Sequence, residues 1–361
     1  MIGRTIGHYQ IIDKLGQDEQ GWACGWYDRR DLITQDHRPP ATVLEPALSR
    51  SLVILVMFLV QNLLFACSPT RPEDGTWRLG AELSRSRSRA VVETVSGRIF
   101  VIGGVFYVTP SGVSSPTEIY DPSSDTWSDG ASIPTARVGA ASGVYGGKVY
   151  VFAGSRYINE CTAILEIYNP ESDSWSSGSA VPDTLDLVVG AFYQNRYYLF
   201  GYDRFAATTS IWVYDPVLDS WAPEPTYLPD SAHHPETVEV YRDKLCLALI
   251  GTILVFDVQD STVEPFAAIE NGRFDSIQGV VNDSWVLTGG WSLIPWEERV
   301  MTDETSVLRG SRWIDMDPLP KPVYGASTCT VGNRLYVMGG LIPSADYYEL
   351  PTRYVQILTV R

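Results

Sequence analysis

One phrase, a short apolar strand ending in two small residues, recurs along this chain and limits what it can fold into. Its copies begin at Arg98 (RIFVIGG), Lys148 (KVYVFAG), Arg196 (RYYLFGY), Lys244 (KLCLALI), Ser284 (SWVLTGG) and Arg334 (RLYVMGG), at steps of 50, 48, 48, 40 and 50 residues. A second phrase follows: YDPSSDTW from Tyr120, YNPESDSW from Tyr168, YDPVLDSW from Tyr214 and a weakened FDVQDSTV from Phe256, with Trp77 and Trp313 completing the tryptophan column. Such self-similarity means that each unit is one supersecondary element whose apolar face is buried only by its neighbours. The apolar run, as in Val149 to Gly154, suits a strand buried between adjacent units, and the small pair permits a close approach where a side chain would clash. Tyr-Asp-Pro is a turn device: Pro fixes φ and Asp bonds the turn's amides, before Trp closes the outer strand against the next unit.

Composition agrees with many short strands joined by tight turns: the chain has 30 Gly, 23 Pro and 12% aromatic residues. Lys and Arg number 27 against 43 Asp and Glu, and the net charge of -16 excludes a non-specific grip on nucleic acid. Five Cys, spread over the whole length without a C-x-x-C pair, make neither a disulfide scaffold nor a zinc site.

Period, small pair, Tyr-Asp and following Trp together resemble Kelch repeats, whose units are four-stranded propeller blades. The resemblance implies an all-β fold, a six-bladed Kelch β-propeller over residues 68–361. Trp77 precedes the first glycine pair, and the last unit ends in an apolar strand (Tyr354 to Val360) with no Trp after it. The strand around Trp77 is therefore expected to close the ring as the outer strand of the sixth blade, leaving no open sheet edge.

Ahead of the repeats lies one long apolar stretch, Leu52 to Ala66, too short for an ordinary spanning helix but suited to the core of a secretory signal. Leu64-Phe65-Ala66-Cys67 resembles a bacterial lipoprotein box, which implies lipidation at Cys67. Three readings of residues 51–67 stand: a cleaved lipoprotein-type signal, an uncleaved anchor forming a short N-terminal hydrophobic helix, and a buried core segment. The first two place the remainder in the bacterial cell envelope, membrane-anchored and outside the cytoplasm. Residues 1–50 open with Ile6 to Gly16 followed by Gly21, which resembles the first strand and glycine loop of bacterial Ser/Thr protein kinases. Asp18 stands where the middle glycine of that loop belongs, Ala41 to Leu44 lacks the phosphate-pairing Lys, and no H-R-D or D-F-G occurs. The segment is therefore read as a degenerate kinase remnant or upstream sequence, expected to be disordered, and not a functional kinase.

If the ring forms, the start of the innermost strand carries Arg87, Arg137, Leu185, His233, Arg273 and Val323, a basic column at one channel mouth. The loops between second and third strands share that mouth. The three longest, Val105 to Thr117, Trp291 to Glu304 and Leu341 to Arg353, belong to blades 1, 5 and 6 and carry Phe106, Tyr107, Trp291, Trp296, Tyr347 and Tyr348. These residues form the candidate site, an aromatic-rimmed, Arg-based pocket for a carboxylate-bearing or sugar-like ligand or a protein loop. The competing reading is structural: each Arg bonds carbonyls of the adjacent blade and the aromatic side chains pack their loops.

Catalytic signatures are missing. His233 and His234 are adjacent and would face opposite ways on a strand, so no metal is expected; no cofactor is either. No G-x-S-x-G elbow occurs, and Asp186, Asp275 and Glu236 fall near the mouth without a sequence mark of tuning. The first expectation is a non-enzymatic, monomeric envelope propeller that binds a protein or carbohydrate, contacts the membrane through its N-terminal anchor and binds no nucleic acid. The second is a sugar-active enzyme resembling the periplasmic Kelch sialic acid mutarotases, and the third a sensor domain of a defunct receptor kinase.

Overall fold

A computed structural model describes residues 5–6, 9–10, 75–106, 116–157, 160–203, 208–226, 228, 234–269, 272–292, 300–344 and 349–360. The chain divides into two units, Met1–Asp36 and His37–Arg361. In the first, Thr5–Ile6 pairs antiparallel with Tyr9–Gln10; the rest of the expected kinase-like segment lies outside the described residues. So do residues 51–67, with the expected hydrophobic helix and Cys67. Among the described residues no helix is long and apolar enough to cross a membrane.

The second unit holds six four-stranded antiparallel sheets. Blade 1 runs outward through Val91–Val95, Arg98–Ile102, Thr117–Asp121 and Thr126–Gly130, and blade 2 through Ala141–Tyr145, Lys148–Phe152, Leu165–Asn169 and Ser174–Gly178. Blade 3 comprises Asp186–Tyr193, Arg196–Asp203, Thr208–Asp215 and Ser220–Glu224; blade 4 comprises Thr237–Tyr241, Lys244–Leu249, Thr252–Asp257 and Thr262–Ala268. Blade 5 comprises Ile277–Val281, Ser284–Thr288, Thr305–Arg309 and Arg312–Met316. Blade 6 takes Ser327–Val331, Arg334–Met338 and Val355–Val360 from the C-terminus, and its outer strand is Gly75–Leu79, paired from Gly75↔Val360 to Leu79↔Gln356. Each innermost strand packs against those of its two neighbours, so the six line a closed channel.

The repeated second strand is apolar because each interblade core is filled from two blades. Val91, Phe100 and Ile102 of blade 1 pack with Val149, Val151 and Tyr168 of blade 2. The same arrangement recurs around the ring and closes with Ile99, Val101 and Tyr120 of blade 1 against Tyr336, Met338 and Ile357 of blade 6. No blade could bury this surface alone.

The Trp column locks neighbouring blades, but toward the preceding blade rather than the next. Trp127 of blade 1 donates its indole N–H to the Ala81 carbonyl, just past the outer strand of blade 6, at 2.8 Å, and Trp175 of blade 2 does the same to Ala131. The second acid of each phrase completes the lock: Asp173 accepts from the Tyr168 hydroxyl and from the Ala131 N–H, both at 2.6 Å. The first acid caps its own turn, as Asp121 accepts from the Ser123 N–H at 2.8 Å. The small pair is needed by the backbone: Gly339 and Gly340 have φ of 67° and 100°, and the Gly340 N–H reaches the Arg87 carbonyl of blade 1 at 3.0 Å. A Cβ on Gly339 would stand 2.1 Å from that carbonyl oxygen.

Candidate functional site at the channel mouth

The Arg column lies inside the blades. Arg87, Arg137 and Arg273 are 1%, 2% and 5% exposed. The Arg87 guanidinium donates to the Gly103 and Pro116 carbonyls at 3.1 and 3.3 Å and to the Glu118 carboxylate. Arg137 bonds the Ala153 and Ile164 carbonyls at 3.0 and 2.8 Å and pairs with Glu166. Arg273 reaches the Glu304 carbonyl and carboxylate, both at 2.9 Å. All these partners belong to the same blade as the Arg, not the adjacent one. Burial lowers the pKa of each of the three, and the acid partner opposes that. Each guanidinium therefore satisfies carbonyls where the second strand gives way to its loop.

The acid partners carry a sequence signal that repeat reading passes over. Glu118 and Glu166 stand two residues before the Tyr of the second phrase, paired across from Val101 and Val151. Where the column is Leu185 or Val323, the matching positions are Trp212 and Gln356, so Arg and acid are lost together. Of the other expected site residues, Trp291 is buried and stacks on Phe274 at 4.5 Å, Phe106 is 36% exposed, and His233, Tyr107, Trp296, Tyr347 and Tyr348 lie outside the described residues.

The residues that do meet at the mouth come two positions later. At Arg89, Gly139, Leu187, Asp275 and Gly325 the backbone takes a left-handed turn, with φ of 49°, 62°, 46°, 48° and 57°; blade 4 has Pro235 there. For Arg, Leu and Asp this conformation is strained and persists only because the ring over-determines it. The ring does so with backbone bonds from blade to blade: Gly139 N–H to Arg89 O at 3.0 Å, Arg89 N–H to Gly325 O at 3.1 Å, and Gly325 N–H to Asp275 O at 3.3 Å.

The left-handed turn swings the Arg89 side chain past Gly325, where a Cβ would lie 3.5 Å from its Nε. It then pairs with Asp275 of blade 5 at 3.3 Å. The Trp291 indole N–H supports Asp275 at 3.3 Å from Oδ2. Glu236 of blade 4 accepts from the Asp275 N–H at 3.0 Å and the Ser276 hydroxyl at 2.8 Å. Burial, with a smaller push from the Asp275 charge, raises the Glu236 carboxyl to about 7 despite the hydrogen bonds it accepts. Nearby, the Cys161 thiol donates to Asp186, and His234 bonds the Leu187 carbonyl.

Deeper in the channel, the residues at one register level are Glu93, Gly143, Ala191, Glu239, Gly279 and Cys329. Glu93 and Glu239 come from blades 1 and 4, opposite each other in the ring. Burial raises Glu93 to about 7, although the Ser142 hydroxyl donates to it at 2.7 Å; burial and the Glu93 charge raise Glu239 to about 8. Burial pushes the Cys329 thiol up to about 12. Among the described residues no group of His, Cys, Asp and Glu is arranged to hold a metal ion.

A Kelch motif model matches residues 86–134 and 136–182, the first and second blades of this ring. The chain is a Kelch-repeat six-bladed β-propeller. No curated protein matches the sequence. Among solved structures, that of YjhT superposes on this Kelch propeller with a TM-score of 0.62, covering 77% of this chain and 96% of its own at 16% identity. At that identity the likeness carries the fold alone, and the chemistry of this Kelch propeller is read from its own mouth.

Proposed function

We propose that this protein is a cell-envelope binding propeller whose ligand face is the mouth framed by the second-to-third-strand loops of blades 5, 6 and 1. The ligand is a carbohydrate or a protein loop. The observation that carries this reading is the Arg89, Asp275 and Glu236 constellation, brought together at the mouth from three blades. An Arg, two carboxyl groups and a hydroxyl offer donors and acceptors in alternation, the pattern that recognises hydroxylated or peptide ligands. The envelope location rests on Leu52 to Ala66 and Cys67. Mass spectrometry of the membrane-extracted N-terminus tests it, and a lipidated Cys67 as first residue is the expected result.

The ligand face is tested with the labelled full chain on an array of neutral, N-acylated and acidic glycans. Binding to one sugar class should be lost in Asp275→Asn and Arg89→Ala. Undiminished binding by both variants would remove the mouth from the reading.

A carboxyl near pH 7 at the mouth favours a second reading, a sugar-active enzyme in which Glu236 moves a proton. Anomer-exchange NMR on N-acylated acidic sugars separates the two. Acceleration that disappears in Glu236→Gln supports the enzyme, and no acceleration leaves the binding module.

A further inference from the structure

The second strands run toward the mouth, so the turns between first and second and between third and fourth strands lie at the opposite end of the ring. The chain enters the ring there. Gly75, the first residue of the closing strand, pairs with Val360, whose N–H bonds the Asn333 carbonyl at 2.9 Å and whose own carbonyl accepts from the Asn282 amide at 3.0 Å. Asn333 and Asn282 belong to the first-to-second-strand turns of blades 6 and 5. Cys67 stands eight residues ahead of Gly75, a stretch that reaches at most about 29 Å when fully extended.

Across the ring, blade 3 presents an apolar tip at the same end. Its third-to-fourth-strand turn carries Val217 and Leu218, 76% and 73% exposed, the most exposed large apolar side chains among the described residues. The same two places hold Ser123 and Ser124 in blade 1, Glu171 and Ser172 in blade 2, and Gln259 and Asp260 in blade 4. Hydrogen bonds hold the turn: Asp215 caps the Val217 and Leu218 N–H groups at 2.9 and 3.1 Å, and Asp219 accepts from the Tyr214 hydroxyl at 2.6 Å and the Ser179 N–H at 2.7 Å. None of these bonds requires an apolar side chain at 217 or 218, where contact with water is unfavourable. A single exposed apolar residue is ordinary on a surface, but an adjacent pair at the tip of a fixed turn is held ready for an apolar partner, with little conformational entropy left to lose.

Given the anchor proposed at residues 51–67, on which this rests, we infer that the end of the ring opposite the mouth lies on the lipid bilayer, with Val217 and Leu218 inserted at the headgroup boundary, and that the mouth faces away from the membrane. The tether enters at blade 6 and the apolar tip stands on blade 3, half-way round the six-bladed ring, so the two contacts support opposite sides of one face. Two apolar side chains alone hold a bilayer weakly; beside a membrane tether their insertion becomes intramolecular and weak affinity suffices. The contact is apolar, so salt does not screen it.

Vesicles of phosphatidylethanolamine and phosphatidylglycerol, doped with a lipid whose acyl chain carries a diazirine, test this arrangement with the full chain anchored in them. After irradiation, peptide mapping by mass spectrometry should find lipid cross-links at 216–219, at low and at high salt, and few at the mouth residues Arg89, Asp275 and Leu350. Val217→Ser with Leu218→Ser should lower cross-linking at that turn several-fold, while the variant stays in the membrane fraction and melts with wild type, because both side chains are exposed. Cross-links concentrated at the mouth, absent from 216–219, lost at high salt or undiminished in the double variant overturn the bilayer contact and leave the anchor standing. A chain that stays out of the membrane fraction overturns the anchor and the bilayer contact with it.

Discussion

Replacing Glu93 by Gln should stabilise the propeller at pH 8 and leave it nearly unchanged at pH 5. Glu93 faces Glu239 from the opposite blade, at a channel level otherwise lined by Gly143, Ala191, Gly279 and Cys329, none of which supplies a positive charge. The folded carboxyl titrates at about 7 against an ordinary 4.5. Between those values the folded protein keeps a proton that the unfolded chain has released, so stability falls as pH rises through this window, with the full loss present above pH 7. At about 1.4 kcal/mol per unit the shift corresponds to roughly 3 kcal/mol, which water in the channel screens to about 1–3 kcal/mol. For a domain of this size that is a rise of about 2–6 °C in melting temperature at pH 8. Gln keeps the acceptor oxygen for the Ser142 hydroxyl, so the neutral variant loses no hydrogen bond there. Glu239, raised by burial and by the Glu93 charge, should itself titrate lower in the variant, and the double Gln variant should gain less than the sum of the two single changes. Thermal melts of wild type and variants at pH 5, 6.5 and 8 provide the readout. A variant that melts with wild type at pH 8, or gains equally at pH 5, refutes the reasoning.

Three further outcomes are expected. Glu166→Gln strands the buried Arg137 charge and should cost about 3–5 kcal/mol, whereas Arg137→Met with Glu166→Leu should recover most of it; denaturant titration checks both, and a silent single variant would refute the buried pair. Gly340→Ala sets a Cβ 2.9 Å from the Ala326 Cβ at φ 100° and should cost at least about 3 kcal/mol, while Gly97→Ala, at φ 76° with open space around it, should cost only about 1 kcal/mol by the same measurement. Removing Gly75–Leu79 exposes the edge of Val355–Val360 and should lower the melting temperature by many degrees and promote aggregation, and an unchanged melting curve would overturn closure by this strand.

Much of the fold was legible because its determinants are local and repeated. The apolar second strand, the small pair and the Tyr-Asp-Pro turn each act within a few residues, and repetition made them visible; Trp77 without a preceding unit marked the closing strand. Even the failures of the pattern were informative. FGY and ALI in place of the glycine pair correspond to blades 3 and 4, whose second strands run straight on, as Arg196–Asp203 and Lys244–Leu249. The site was less legible. The Arg column was visible, but whether it faced a ligand or its own blade depended on Glu118 and Glu166, 31 and 29 residues away.

By itself, then, the sequence determined the number of blades, their order and the manner of closure, because a repeat that cannot bury its own face has to stack into a ring. Only the tertiary structure decided which arginine reaches the mouth. Arg87 and Arg89 differ by two positions in an Arg-Ser alternation, yet a left-handed turn at Arg89 sends one side chain into the blade and the other across to Asp275, 186 residues away. That turn is held by backbone bonds from neighbouring blades, so nothing local to the residue could announce it.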